Sequence, residues 1–212
     1  MRIPIASDGF RFILPLLGGV VLFYALGWFI AAGLTFLGLA FVVNFFRDPE
    51  RPIPQEDRVI VSPADGKVVE IVEDTDPLLE HPAKRVSIFL NVFNVHVNRA
   101  PVGGTVRAIR YNKGKFLNAA NPKASLDNEQ NAVLIDTGSC QVVVKQIAGL
   151  IARRIVCWVK KEQTMQLGER FGLIRFGSRT DIFLPVDSEI KVKIGDHVKG
   201  GMNIIGYLPK DS

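Results

Sequence analysis

The sequence predicts a mainly β protein, a β-sandwich or half-barrel, preceded by an N-terminal hydrophobic helical hairpin. Three observations carry that prediction. A 34-residue stretch from Ile13 to Phe46 contains no charged side chain. A short run rich in proline and charge follows it. The rest of the 212 residues breaks into brief runs of Val and Ile, punctuated by Gly, Pro, Asp and Asn, which is the pattern of short strands and turns.

The apolar stretch reads ILPLLGGVVLFYALGWFIAAGLTFLGLAFVVNFF. One perpendicular span needs about 20 residues, so this run is too long for one and too short for two full ones. Gly27-Trp28 near its middle, with Pro15, Gly18 and Gly19 near its start, favours two short helices folded back on each other. Arg2 and Arg11 precede the run, and Arg47 and Arg51 follow it. Placing both ends on the cytoplasmic side satisfies the positive-inside tendency. A single strongly tilted helix is the alternative. A secretory signal would have a far shorter apolar core. Residues 1–46 are therefore read as an anchor in the cell (inner) membrane, and residues 47–57, RDPERPIPQED, as a linker.

Residues 58–212 hold the runs RVIVS, KVVEIVE, RVSIFL, TVRAIRY, NAVLID, QVVVKQIA, RRIVCWV, FGLIRFG, DIFLP, EIKVKI and IIGYL. Only Asn118–Glu129 offers a candidate helical period. Two segments, SPADGKVVEI and IKVKIGDHVKGGMNIIGYL, resemble the paired halves of lipoyl- and biotinyl-type sandwiches. The carrier lysine of those domains, in its Met-Lys context, has no counterpart here, so the likeness is one of fold alone.

The net charge is +5 with a pI near 9.3. Beside an apolar anchor, that points to an anionic lipid surface. The basic residues are scattered and not interleaved with aromatics, which argues against nucleic acid. Cys140 and Cys157 form no CxxC and are expected to be reduced and buried. With three histidines and no Cys/His cluster, no metal site is expected.

The chain has no GxGxxG, Walker loop, HExxH or GxSxG elbow. Three residues remain as candidates for chemistry. Asp65 lies in SPADG, where the plain reading is a turn with Asp bonding its own backbone and Gly66 supplying a positive φ. His96 lies in LNVFNVHVNRAP, where alternation puts it on one strand face with Asn94 and Asn98; a satisfied structural histidine is the plain reading. Ser178, in RFGSRTDIFLP, reads alone as a turn serine. His81 and His197 have weaker, loop-like contexts. Together the three fit a serine oxygen, its base and an orienting carboxylate, although spacing alone does not bring them together.

The stretches RFGSRTDIFLP, SPADG, NVFNVHVNRAPVGG, GKFLNAANPKASLDNEQN, GLIARRI and LGERFGLI, in that company and covering Arg47 to Pro209, resemble the short, membrane-anchored phosphatidylserine decarboxylases. The resemblance implies a self-processing enzyme that cuts its chain between Gly177 and Ser178. Residues 1–177 would become the β chain and 178–212 the α chain, with Ser178 converted to a covalent pyruvoyl group. By motif, Asp65 and His96 match the family's processing residues. Arg99 stands where longer members carry a second histidine, so His96 alone can serve. Gln130 stands where the family often has arginine, which puts a basic role there in doubt.

The implied activity releases carbon dioxide from phosphatidylserine in the bilayer and yields phosphatidylethanolamine. Lys115, Lys123, Arg153 and Arg154 are candidates for the lipid phosphate; as solvated surface charges they would contribute little. Homo-oligomerisation is left open. Three rivals remain. One keeps the chemistry on archaetidylserine; one is an unprocessed Ser-His-Asp lipid hydrolase; one is a membrane-tethered binding module without catalysis.

Overall fold

A computed structural model describes residues 3–114, 128–149, 154–175 and 178–210. The chain divides into two compact units, Met1–Glu50 and Arg51–Ser212.

The first unit is a helical hairpin. Helix α1 spans Phe10–Ala25 and α2 spans Phe29–Phe45. The turn between them needs Gly27, whose φ of +73° is cheap only without a Cβ. Phe23 stacks on Trp28 at 5.9 Å and Tyr24 meets Phe29 edge-on at 5.7 Å, closing the tip. At the open end the Ala6 amide donates to the Phe46 carbonyl at 2.8 Å, and Phe12 stacks on Phe46 at 5.5 Å. Leu14, Leu17, Val21, Leu22, Ile30 and Leu34 stay exposed. Ser7–Ala25, which adds a 3-10 turn to α1, is long and apolar enough to cross a membrane by length and composition, whereas α2 is shorter.

The second unit is built from antiparallel strands: β1 Val59–Val61, β2 Gly66–Asp74, β3 Ala83–Leu90, β4 Val97–Arg99, β5 Gly104–Asn112, β6 Gln130–Asp136 and β7 Gln141–Ala148. Then come β8 Ile155–Cys157, β9 Thr164–Met165, β10 Arg170–Ile174, β11 Ser178–Pro185, β12 Glu189–Ile190, β13 His197–Val198 and β14 Ile204–Tyr207. Eight of these form a curled half-barrel sheet in the order β13-β2-β3-β11-β7-β6-β5-β9. Two three-stranded sheets, β1-β14-β12 and β4-β10-β8, complete the fold. The mainly β prediction therefore holds, with the helix pair in front.

One core joins the sheets. Val86 and Ile88 of β3, Val142 and Val144 of β7, and Ile182 and Leu184 of β11 meet Ile60, Phe171 and Ile205 from the small sheets. Because side chains alternate along a strand, Phe183 points the other way, into a smaller cluster with Leu79, Leu134 and Val143. Cys140 and Cys157 are free, but half-buried at the core's edge and not fully enclosed. Of the candidate helix Asn118–Glu129, residues 118–127 lie outside the described residues; Asn128 and Glu129 are extended chain leading into β6.

Candidate active site

Ser178 is the first residue of β11, an inner strand of the large sheet, and is not in a turn. It pairs with Leu90 of β3 on one side and Ala148 of β7 on the other. By alternation Ser178 and Thr180 share the face of Ile182 and Leu184, toward the core. Ser178 is fully buried, and its Oγ has no hydrogen-bond partner among the described residues. Buried hydroxyls are nearly always paired, so this one calls for an explanation. Gly177 lies outside the described residues.

His96 is also fully buried. The expected strand around it is shorter than alternation suggested, beginning only at Val97. Asn91 and Asn94 break it by bonding nearby backbone amides: Asn94 Oδ1 accepts from the Asn91 amide at 2.9 Å, and Asn91 Oδ1 accepts from the Phe93 amide at 2.9 Å. Asparagine side chains compete with strand pairing in this way. Asn94 therefore does not share a strand face with His96; it supplies a carbonyl instead. That oxygen lies 2.9 Å from His96 Nδ1. A carbonyl only accepts, so Nδ1 carries the proton and Nε2 keeps the basic lone pair. The His96 carbonyl accepts from the Ile174 amide at 3.3 Å, which places the histidine backbone beside the strand that leads to Ser178.

Asp65 does not make the self-contained Asx turn expected of SPADG. Its Oδ1 accepts from the Gly200 amide at 2.7 Å and its Oδ2 from Arg51 Nη2 at 2.9 Å. Gly66 does not have a positive φ either. Its constraint is steric, because a Cβ there would lie 2.2 Å from the Phe89 carbonyl oxygen. The SPADG segment reaches the histidine strand through the Pro63 carbonyl, which accepts from the Arg99 amide at 2.9 Å.

A buried chain of amides ties these parts together. Asn131 Nδ2 donates to Gln146 Oε1 at 3.0 Å, Gln146 Nε2 to Asn98 Oδ1 at 2.9 Å, and Asn98 Nδ2 to Thr180 Oγ1 at 3.1 Å. Asn98 is two residues beyond His96 and Thr180 two beyond Ser178. The chain thus couples β4, which begins just after the histidine, to β11, which begins with the serine. Gly172 makes room for it, since a Cβ would lie 2.8 Å from Gln146 Nε2.

Asn128 and Glu129 close the far side of Ser178. Asn128 Nδ2 donates to the Ala148 carbonyl at 2.6 Å, and the Glu129 carbonyl accepts from the Ala148 amide at 3.0 Å; Ala148 is the residue opposite Ser178. Glu129 Oε1 also accepts from Tyr111 Oη at 2.9 Å. Burial and this bond hold the Tyr111 phenol above its ordinary pKa. Gln130 is buried and opens β6.

Of the four cations considered for a lipid phosphate, Lys115, Lys123 and Arg153 lie outside the described residues. Arg154 is exposed, and its carbonyl accepts from the Arg175 amide at 3.2 Å, three residues before Ser178. Sequence reasoning missed Arg51, assigned to the anchor's flank and the linker, and the Asn98–Gln146–Asn131 chain. The asparagines on alternate positions of VHVNR were the available signal for the latter.

The phosphatidylserine decarboxylase family model matches residues 39–206 of this chain. The chain belongs to that family. A phosphatidylserine decarboxylase proenzyme of Magnetococcus marinus is 45% identical over 207 residues, covering 96% of this chain and 95% of its own. Proenzymes of that name from Burkholderia cenocepacia and Burkholderia multivorans are each 46% identical over 205 residues, covering 96% of both chains. The family resemblance read from the motifs is therefore correct, and the similarity extends through the apolar hairpin.

Proposed function

We propose that this chain is a phosphatidylserine decarboxylase, a lyase that forms phosphatidylethanolamine and carbon dioxide with a pyruvoyl group made from its own Ser178. The observation that carries the reading is the buried Ser178 hydroxyl at the head of an inner strand, which has no hydrogen-bond partner among the described residues. Relatives of this similarity are named proenzymes, which supports a processed form. The residue also fits its fate: giving up to the Gly177 carboxylate a hydroxyl oxygen that has no hydrogen-bond partner among the described residues sacrifices no hydrogen bond. When present, that ketone supplies an electron sink for decarboxylation.

The chain's own residues have the following parts. His96 Nε2, left basic by the Nδ1–Asn94 bond, takes the Ser178 hydroxyl proton, and Oγ attacks the Gly177 carbonyl carbon. The Gly177–Ser178 C–N bond breaks and an ester C–O bond forms, with the nitrogen gaining a proton. Elimination across Cα–Cβ of residue 178 then breaks the Cβ–O bond and leaves a carboxylate on Gly177. Water replaces the enamine nitrogen of the resulting dehydroalanine, which departs as ammonia. Asp65, held by Arg51 and the Gly200 amide, is the carboxylate of the three. In turnover, His96 holds the proton that the product α-carbon requires. Arg154 is a candidate for the lipid phosphate by its place near the Ser178 end.

The hairpin gives this chemistry a bilayer. At about 1.5 Å per residue, the 16 and 17 residues of the two helices reach roughly 24–26 Å, short of the ~30 Å hydrocarbon core. A hairpin of that depth passes the bilayer midplane and returns without emerging on the far side, leaving both arginine-bearing ends on the cytoplasmic face of the cell membrane.

The test is the intact mass of the purified protein under denaturing conditions. The expected result is two chains, the smaller beginning at residue 178, blocked at its N-terminus, and lighter than its serine-terminated form by the mass of ammonia less nothing else. Ser178→Ala is expected to leave one chain. A single 23.4 kDa chain from an active wild-type preparation overturns the self-processing reading and brings forward a hydrolase.

A further inference from the structure

Arg179 follows Ser178 on the opposite face of β11, and its side chain is 3% exposed. Its Nε donates to Asp181 Oδ1 at 2.6 Å. Its Nη2 donates to Glu70 Oε2 at 2.8 Å and to Ser87 Oγ at 2.6 Å. The strand register explains the convergence. Glu70, Ser87 and Asp181 form a row straight across β2, β3 and β11. Arg179 enters that row from one side. Arg85, opposite Val72 and Phe183, enters from the other, donating to the same Glu70 Oε2 at 2.9 Å and the same Ser87 Oγ at 3.0 Å. Burial works against the Arg179 charge, but Asp181 and Glu70 outweigh it and raise the guanidinium's pKa.

A buried ionic fork is a weak source of net stability compared with an apolar pair. What it does give is a fixed position. Cleavage before Ser178 turns that residue into a chain end inside the sheet, and chain ends fray unless tied down. Among the described residues the Ser178 side chain has no hydrogen-bond partner that would hold it. Glu70 and Ser87 belong to the segment before the cut, and Arg179 to the segment after it.

We propose that Arg179 is a positioning residue that clamps the newly cut chain end, holding residue 178 in register against β2 and β3 so that the group formed there keeps its place during turnover. The proposal rests on the self-processing reading above. Misplacement of a reacting group by about 1 Å can cost on the order of 100-fold in rate, so the clamp acts on kcat.

The test compares Arg179→Lys with Arg85→Lys in the full-length chain. Each keeps the charge and loses the planar fork, but Arg85 pairs with Phe183, well along β11 from the cut. Denatured mass gives the extent of cleavage, and phosphatidylserine in detergent micelles gives kcat and KM. Thermal unfolding gives stability. For Arg179→Lys we expect a cut chain, KM within about twofold of wild type and kcat lower by about 10- to 100-fold. For Arg85→Lys we expect a comparable stability loss with kcat near wild type. Equal kcat losses in the two variants, or full kcat in Arg179→Lys, overturn the clamp and leave self-processing standing. An uncut, active wild type overturns both. If Arg179→Lys stays uncut, Ser87→Ala removes one acceptor of Nη2, and an unchanged kcat in its cut form overturns the clamp.

Discussion

Replacing Arg51 with methionine tests whether the charge on Asp65 serves the chemistry. Arg51 and Asp65 side chains are 8% and 11% exposed, with Nη2 and Oδ2 2.9 Å apart. A methionine keeps much of the side chain's apolar length but removes the donor. Asp65 would retain the Gly200 amide at 2.7 Å and lose its cation. A hydrogen bond to a charged group in such a setting is worth about 1.5–3 kcal/mol, or roughly 10- to 150-fold in a step that needs the carboxylate held in place. With one of its two donors gone, Asp65 can turn away from the position it holds beside Gly200. The assay is the time course of cleavage by denatured mass after cell-free synthesis. Arg51→Met is expected to be slower by about 10- to 100-fold. Cleavage at the wild-type rate refutes a role for the held Asp65 carboxylate in processing.

Other consequences follow from the same geometry. Asn98→Leu strands Gln146 Nε2 and Thr180 Oγ1 in the core, and should cost about 2–4 kcal/mol in urea unfolding of the uncut Ser178→Ala chain; a change below about 0.5 kcal/mol would mean the amide chain is not coupled to the fold. Gly66→Ala puts a Cβ 2.2 Å from the Phe89 carbonyl oxygen, so the β2–β3 ladder must shift beside Asp65, and cleavage should fall with folding, read as uncut chain in the soluble fraction. Tyr207 donates to Glu56 at 2.6 Å, which raises its pKa, and burial with Glu129 raises that of Tyr111. Both groups therefore stabilise the fold below the free phenol value of about 10, and that contribution is lost as pH climbs through the raised values. Absorbance titration should show two of the three tyrosines ionising late, and Tyr207→Phe should remove one late component.

The strands were legible because their signals are local. Val and Ile runs ending in Gly, Pro or Asp place β2, β3, β5, β6 and β7 within a residue or two of their observed limits. The hairpin was legible for the same reason: a long uncharged run with Gly27 at its centre has few other folds. Asp65, His96 and Ser178 were found as residue types in unusual settings, but their partners were not. Asp65 is held by Arg51 and by Gly200, which is 135 positions away in sequence, and no spacing rule reaches that far. Where the reading went astray, a local pattern met a stronger competitor. Val-His-Val predicted a long strand, yet Asn91 and Asn94 bond the backbone first and leave His96 just outside β4. Asp-Gly predicted a positive φ, yet Gly66 is there because β3 passes too close for any Cβ. In both places the departure puts a polar group where the core would otherwise be apolar or the chain would otherwise be regular. Such positions are where a constraint from elsewhere in the fold overrides local consistency, and so a residue that breaks its own local rule is a better candidate for chemistry than one that obeys it.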